Sequence, residues 1–296
     1  MIIPRLHQPQ NILLAVDGSE HAQAAAKLLC DLPLPKGSTI TALAVLIPRN
    51  ASDHAILEAA LERIQSLLQN KGVEVKAELQ AGYPAERINE YAIEHRPDLT
   101  ALGAKGLRAT LGILLGGVAQ QVVEYSCCPV LVVRSSYAGL RRIALVTDGS
   151  TSSQHALDYL THFPVLPEAE IDIVHVLAPP PVPEAYIRPW PVGTEIVATM
   201  PPSVPVDLEN LLQEEAQAGQ AILARGIETL ERAGINARST LLQGDAATEI
   251  IEYARNRQID LLISGSRGLS PVKGWLLGSV SRKLLHYAGC SVLVVK

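Results

Sequence analysis

The sequence predicts an α/β fold: two tandem doubly wound domains, each a five-stranded parallel sheet flanked by helices. Three observations lead there. Short runs rich in Val, Ile and Leu alternate with stretches whose apolar residues recur every three or four positions. The short runs are almost continuously apolar, as strands covered on both faces must be. The whole alternation then occurs a second time. Alternating strands and helices imply right-handed crossovers and a sheet with helices on both faces.

In the first copy, strands are expected at residues 11–16, 39–46, 73–79, 98–103 and 129–133. Ile56, Leu57, Ala60, Leu61, Ile64, Leu67 and Leu68 fall at helical spacing and mark an amphipathic helix between the second and third strands. Gly72, like Gly234 in the second copy, follows the second helix, where a left-handed C-cap belongs. The run Asn11 to Ser19 reappears as Arg142 to Ser150, 131 positions on, with Asp17-Gly-Ser matched by Asp148-Gly-Ser. Later landmarks lie 162 positions apart: Gly82 and Gly244, Tyr91 and Tyr253, Asp98 and Asp260, Cys128 and Cys290. The second copy therefore holds 31 extra residues, the difference between 162 and 131, after the strand around His175 to Leu177. There, Ala178 to Pro205 is crowded with proline, which suits neither a regular helix nor a central strand. A surface excursion over about 178–209 is expected, as a passive insertion, a lid or a docking arm. The domains are set at 1–137 and 138–296, because Ser135-Ser-Tyr-Ala-Gly139 suits a short exposed linker.

Composition narrows the function classes. An apolar content of 48% with 19% charged residues supports real cores, and 296 residues suffice for two domains. A net charge of −5 points away from nucleic acid and anionic membranes as main partners. No apolar run approaches the ~20 residues that span a bilayer, and the first residues lack the apolar centre of a signal peptide. Cys30, Cys127, Cys128 and Cys290 form no metal-ligand pattern and are expected as reduced, buried thiols in a cytoplasmic protein.

The chemistry-bearing motif lies near the C-terminus: Gly265-Ser-Arg-Gly268, nine residues, then Gly278-Ser279-Val280-Ser281. It follows the apolar run Ile259 to Ser264 and opens a helical stretch ending near Tyr287. Glycines at such a junction let backbone approach a ligand, and the free N–H groups of a helix start suit phosphate. The first copy keeps the skeleton as Gly103-Ala-Lys-Gly106, nine residues, Gly116-Gly117-Val118-Ala119, without the hydroxyls. Ligands on doubly wound sheets sit beyond the carboxyl ends of the strands, where both glycine motifs, Asp17 and Asp148 fall.

With Asp148-Gly-Ser on the first strand and Cys290-Ser-Val-Leu-Val-Val295 closing the second copy, this order resembles the universal stress protein family, found twice over nearly the whole chain. The resemblance implies strand order 3-2-1-4-5, pairing of the last strands into an internal pseudo-dimer, and, in the ATP-binding branch, adenine nucleotide at the switch point. Carried over, Asp148 meets the ribose, the backbone at Val176 faces adenine, and Gly265 and Gly268 let the loop close over ribose and phosphates. Gly278, Ser279, Val280 and Ser281 supply backbone and hydroxyl donors to the phosphates, with Arg267 as a charged helper. Asp17, Gly103, Gly106 and Gly116 are the weaker counterparts.

The asymmetry points to one strong site, in the second domain. The first copy has Gly117 for Ser279, Ala119 for Ser281, Leu111 for Lys273, Gln120 for Arg282 and Gln121 for Lys283. Losing two hydroxyl bonds to a charged acceptor, at roughly 1.5–3 kcal/mol each, weakens binding about a hundredfold or more. Expected, then, is an ATP-binding stress-response regulator, with or without Mg²⁺, that works as a nucleotide-dependent switch with an unidentified protein partner. The alternatives are a slow ATP hydrolase and a non-binding tandem scaffold. No Gly-x4-Gly-Lys-Ser/Thr loop and no catalytic triad is legible, and homodimerisation of chains stays open.

Overall fold

The computed structural model describes residues 9–69, 72–106, 115–179, 206–268 and 277–296. The first copy runs β1 (Asn11–Val16), α1 (Glu20–Asp31), β2 (Thr39–Leu46), α2 (His54–Leu68), β3 (Glu74–Ala81), α3 (Pro84–His95), β4 (Leu99–Gly103), α4 (Gly117–Tyr125) and β5 (Val130–Val133). The second runs β6 (Arg142–Val146), α5 (Thr151–Leu160), β7 (Glu170–Leu177), α6 (Val206–Arg232), β8 (Ala237–Gln243), α7 (Ala246–Asn256), β9 (Leu261–Gly265), α8 (Ser279–Tyr287) and β10 (Ser291–Val295). Of the excursion expected at about 178–209, residues 180–205 lie outside the described residues. Its expected end at 209 is corrected: 206–209 already form the first turn of α6, because no proline follows Pro205 until Pro271.

Each copy has strand order 3-2-1-4-5 with parallel neighbours, and the two sheets join edge to edge as β3-β2-β1-β4-β5-β10-β9-β6-β7-β8. The join is the one antiparallel pairing described: β5 lies against β10, with Val132 opposite Val292 and Leu131 opposite Leu293. Central strands β4, β5, β9 and β10 are buried along almost their whole length, whereas the edge strands β3 and β8 are half-exposed. This is why the central strands read as continuous apolar runs and the edges do not. One core lies on each face of the sheet, and each core contains residues of both copies, Leu14 with Ile263 on one face and Leu13 with Leu262 on the other. The halves therefore share their cores as well as their sheet.

The caps explain why helices begin where they do. Ser19 and Ser150 accept the N–H of Ala22 and Ser153, and Asp245 accepts that of Thr248. Gly72 and Gly234 are left-handed as expected, with φ of 71° and 77°. Arg96 and Gln258, matched positions just past α3 and α7, adopt the same conformation without glycine, at φ 45° and 52°. Cys127 departs from expectation: it is exposed, while Cys30 and Cys128 are buried and burial pushes the partly covered Cys290 thiol up to about 11. Adjacent residues in the bend before β5 face opposite ways, so only one of the pair reaches the core.

His21, on the first turn of α1, ties that helix to the linker. The Ser135 N–H donates to its Nδ1 at 3.0 Å, which requires an unprotonated nitrogen. Burial holds the His21 pKa below its usual value, and Lys105 and Arg134 push the same way, against the Val133 carbonyl and Asp17. A depressed histidine pKa means the unfolded chain binds more protons below about 6.5, so the folded state loses stability as pH falls through that value. The thermal midpoint is expected to drop between pH 7 and pH 5 by a smaller amount in His21→Asn than in the wild type. Equal drops would show that His21 is not the group responsible.

Candidate functional site

β6 ends at Val146 and passes into α5 through Thr147-Asp-Gly-Ser150. Asp148 Oδ1 accepts the Ser150 N–H at 3.0 Å, closing the turn, while Gly149 takes φ 77°, which an L side chain resists. The other carboxylate oxygen, Oδ2, would stand 2.8 Å from a Cβ on Gly268, so glycine there lets the loop after β9 lie against Asp148. Gly265 serves a different need. A Cβ at 265 would be 2.5 Å from the Ser152 carbonyl oxygen, so its absence is what allows β9 and α5 to meet.

The loop is pinned along its backbone. The Ser266 N–H donates to the Val295 carbonyl at 2.7 Å, the Arg267 N–H to Ser152 Oγ at 3.0 Å, and the Gly278 N–H to the Ser266 carbonyl at 2.8 Å. α8 then starts with Gly278 as an N-cap that offers no side-chain hydrogen bond. The Arg282 N–H is the first to bond back, to Gly278 at 3.0 Å, so the N–H groups of Ser279, Val280 and Ser281 are those an α-helix leaves without internal partners. With the helix dipole behind them, they form an anion-receptive end.

These pieces surround a cavity of 390 Å³ beyond the carboxyl ends of β6, β7 and β9. Val146, Val176, Ala246, Ile250 and Leu277 give it apolar lining, and Asp148, Arg267, Arg282 and Ser279 give it polar lining. All nine second-domain residues singled out in the sequence line this one cavity: Asp148, Val176, Gly265, Arg267, Gly268, Gly278, Ser279, Val280 and Ser281. Ser281 differs in detail from expectation. Its hydroxyl is buried and donates to the Gly265 carbonyl at 2.7 Å, so what it can offer an anion as a donor is its backbone N–H. Lys283 is held by Asp245 at 3.4 Å, and Lys273 lies outside the described residues.

The first domain builds the same frame. Asp17 Oδ1 accepts the Ser19 N–H at 3.0 Å, the Gly116 N–H donates to the Ala104 carbonyl at 2.8 Å, and a Cβ on Gly106 would stand 2.8 Å from Asp17 Oδ2. Asp17, Gly103, Gly106 and Gly116 line a cavity of 310 Å³. The frame is kept and the polar lining is not. Thr147, Ser153, Ser264, Ser279 and Ser281 of the second cavity correspond to Val16, Ala22, Leu102, Gly117 and Ala119. Two arginines stand against one aspartate in the second cavity, one lysine against one aspartate in the first. Thr147, Ser153 and Ser264 escaped the sequence reading, because a hydroxyl at a strand end or in a first helical turn looks like any solvent-facing or capping residue until the cavity is seen.

The frame just described, an Asp-Gly-Ser turn and a glycine-flanked helix start on a sheet of order 3-2-1-4-5, occurs in both copies, and both match the same family. The Universal stress protein family pattern covers residues 9–134 and again 139–296. The chain belongs to the universal stress protein family. Among relatives, Universal stress protein YxiE of Bacillus subtilis (strain 168) is 31% identical over 161 residues, which are 52% of this chain and 98% of the relative. A Thermus aquaticus universal stress protein is 31% identical over 140 residues, 42% of this chain and 98% of its own length. Such relatives match about one copy's length, whereas the crystal structure of a universal stress protein from Archaeoglobus fulgidus DSM 4304 follows both. It covers 98% of this chain and 99% of its own, with a TM-score of 0.65 at 20% identity, a likeness of fold. Among the described residues no helix is long and apolar enough to cross a membrane.

Proposed function

We propose that this family member binds an adenine nucleotide, ATP before AMP, at the second-domain cavity and acts as a stress-response regulator whose conformation or partner follows the bound state. The observation that carries the reading is the start of α8, which has no side-chain cap and lines the same cavity as Arg267, Arg282 and the apolar Val146, Val176 and Ile250. Residues fit the group: the apolar lining around Val176 suits a base, Asp148 a ribose hydroxyl, and the Ser279 to Ser281 N–H groups a phosphate tail. The cavity volume lies within the range usual for small-molecule sites. When bound, the nucleotide would supply the charge that the two arginines and the helix end are arranged to receive, and Mg²⁺ would travel with its phosphates.

The first-domain cavity favours a second, weaker site, because its backbone frame is intact while its hydroxyls and one cation are gone. Calorimetric titration of nucleotide-stripped protein with ATP and Mg²⁺, then with AMP, tests both statements. One strong site per chain is expected, with ATP bound about tenfold or more tighter than AMP, since the extra phosphates gain charge-assisted bonds at the helix start. No binding of either nucleotide would overturn the proposal. Two sites of equal strength would overturn the ranking of the domains.

A further inference from the structure

Resting on that reading of the second cavity, we infer that Ser264 is a further ligand-binding residue whose hydroxyl bonds the nucleoside monophosphate part of the ligand. Ser264 stands at the end of β9, opposite Val146 of β6, and lines the cavity at 3% exposure. Its Oγ is buried with no hydrogen-bond partner among the described residues. The neighbouring hydroxyls are committed elsewhere: Thr147 donates to Ser153 Oγ at 3.2 Å, Ser153 to the Ser150 carbonyl at 2.9 Å, and Ser281 to the Gly265 carbonyl.

A buried hydroxyl without a partner is disfavoured, and the chain has an apolar solution for this place, because the matched residue of the first domain is Leu102, which lines the smaller cavity. Serine here is therefore a cost to the nucleotide-free protein that a ligand atom can relieve. Its position decides which part of the ligand. β6 lies between β9 and β7, so Ser264 and Val176 stand on strands that flank it, and Ser264 pairs with Val146, two residues before Asp148, where the proposed ribose hydroxyl would sit. A partner at Ser264 belongs to the base, sugar or first phosphate rather than to the phosphate tail.

The test is titration of the full-length wild type and Ser264→Ala with AMP and with ATP plus Mg²⁺, alongside thermal unfolding of the nucleotide-free proteins. Expected is a loss of about five- to tenfold in affinity, the same for AMP and ATP, with the midpoint of the nucleotide-free variant unchanged or raised. Unchanged affinity for both ligands would overturn the inference, as would a loss confined to ATP. A lowered midpoint with unaltered affinity would show that Ser264 bonds within the protein. Failure of the wild type to bind either nucleotide would remove the proposed function instead, so the two failures are distinguishable.

Discussion

Leucine in place of Gly268 is expected to weaken ATP binding by about a hundredfold or more while leaving the unfolding midpoint nearly unchanged. The first added atom would stand 2.8 Å from Asp148 Oδ2, the far end of a side chain on the surface of the cavity. That carboxylate can swing aside at little cost to folding, but it then leaves the place where a sugar hydroxyl would meet it, and the leucine fills the entrance. Gly106→Leu makes the same contact with Asp17. If the second domain holds the strong site, that variant should bind ATP as the wild type does. Equal losses from the two substitutions would sink the claim of one strong site.

Gly265→Ala is the substitution with the largest expected effect on folding, a loss of about 3 kcal/mol in urea unfolding. Its methyl group would lie 2.5 Å from the Ser152 carbonyl oxygen, which is backbone and cannot rotate away, so β9 and α5 would have to separate. Gly103→Ala should behave alike, at 2.7 Å from the Ala22 nitrogen. Gly117 supplies the control. A Cβ there meets nothing within 4 Å, and at the first position of α4 alanine should be neutral or slightly stabilising. Should Gly265→Ala prove as stable as Gly117→Ala, the close packing of β9 on α5 is not what requires glycine. The experiment also separates two roles that one motif suggests: Gly265 serves packing, Gly268 serves the site.

Strand and helix positions were legible because burial imposes a pattern. β1 and β2 fall on the expected residues, while β3 shifts from 73–79 to Glu74–Ala81, since an edge strand is half-exposed and its apolar signal is weak. α6 precedes Gly234 as expected, but two of its glycines had no reason in the sequence. Gly219 and Gly226 interrupt its helical pattern, and only the packing explains them: a Cβ at 219 would press on Leu177 and His175, and one at 226 on Ile173. His175 itself is buried and donates from Nδ1 to the Thr147 carbonyl, a structural role.

By itself the sequence determined the duplicated α/β architecture, the placement of both glycine motifs at strand ends, and the difference in hydroxyls between the copies. Each of these rests on residue type and spacing, which local backbone preference and burial translate directly into structure. Tertiary structure alone decided which of those groups remain available. It turned the Ser281 hydroxyl onto the Gly265 carbonyl, left Ser264 Oγ without a partner among the described residues, and set a frame around Asp17 as complete as that around Asp148. A hydroxyl's partner depends on which strand end or loop lies within about 3 Å of it. That distance is set by packing between segments far apart in the chain, as where Ser152 meets Arg267.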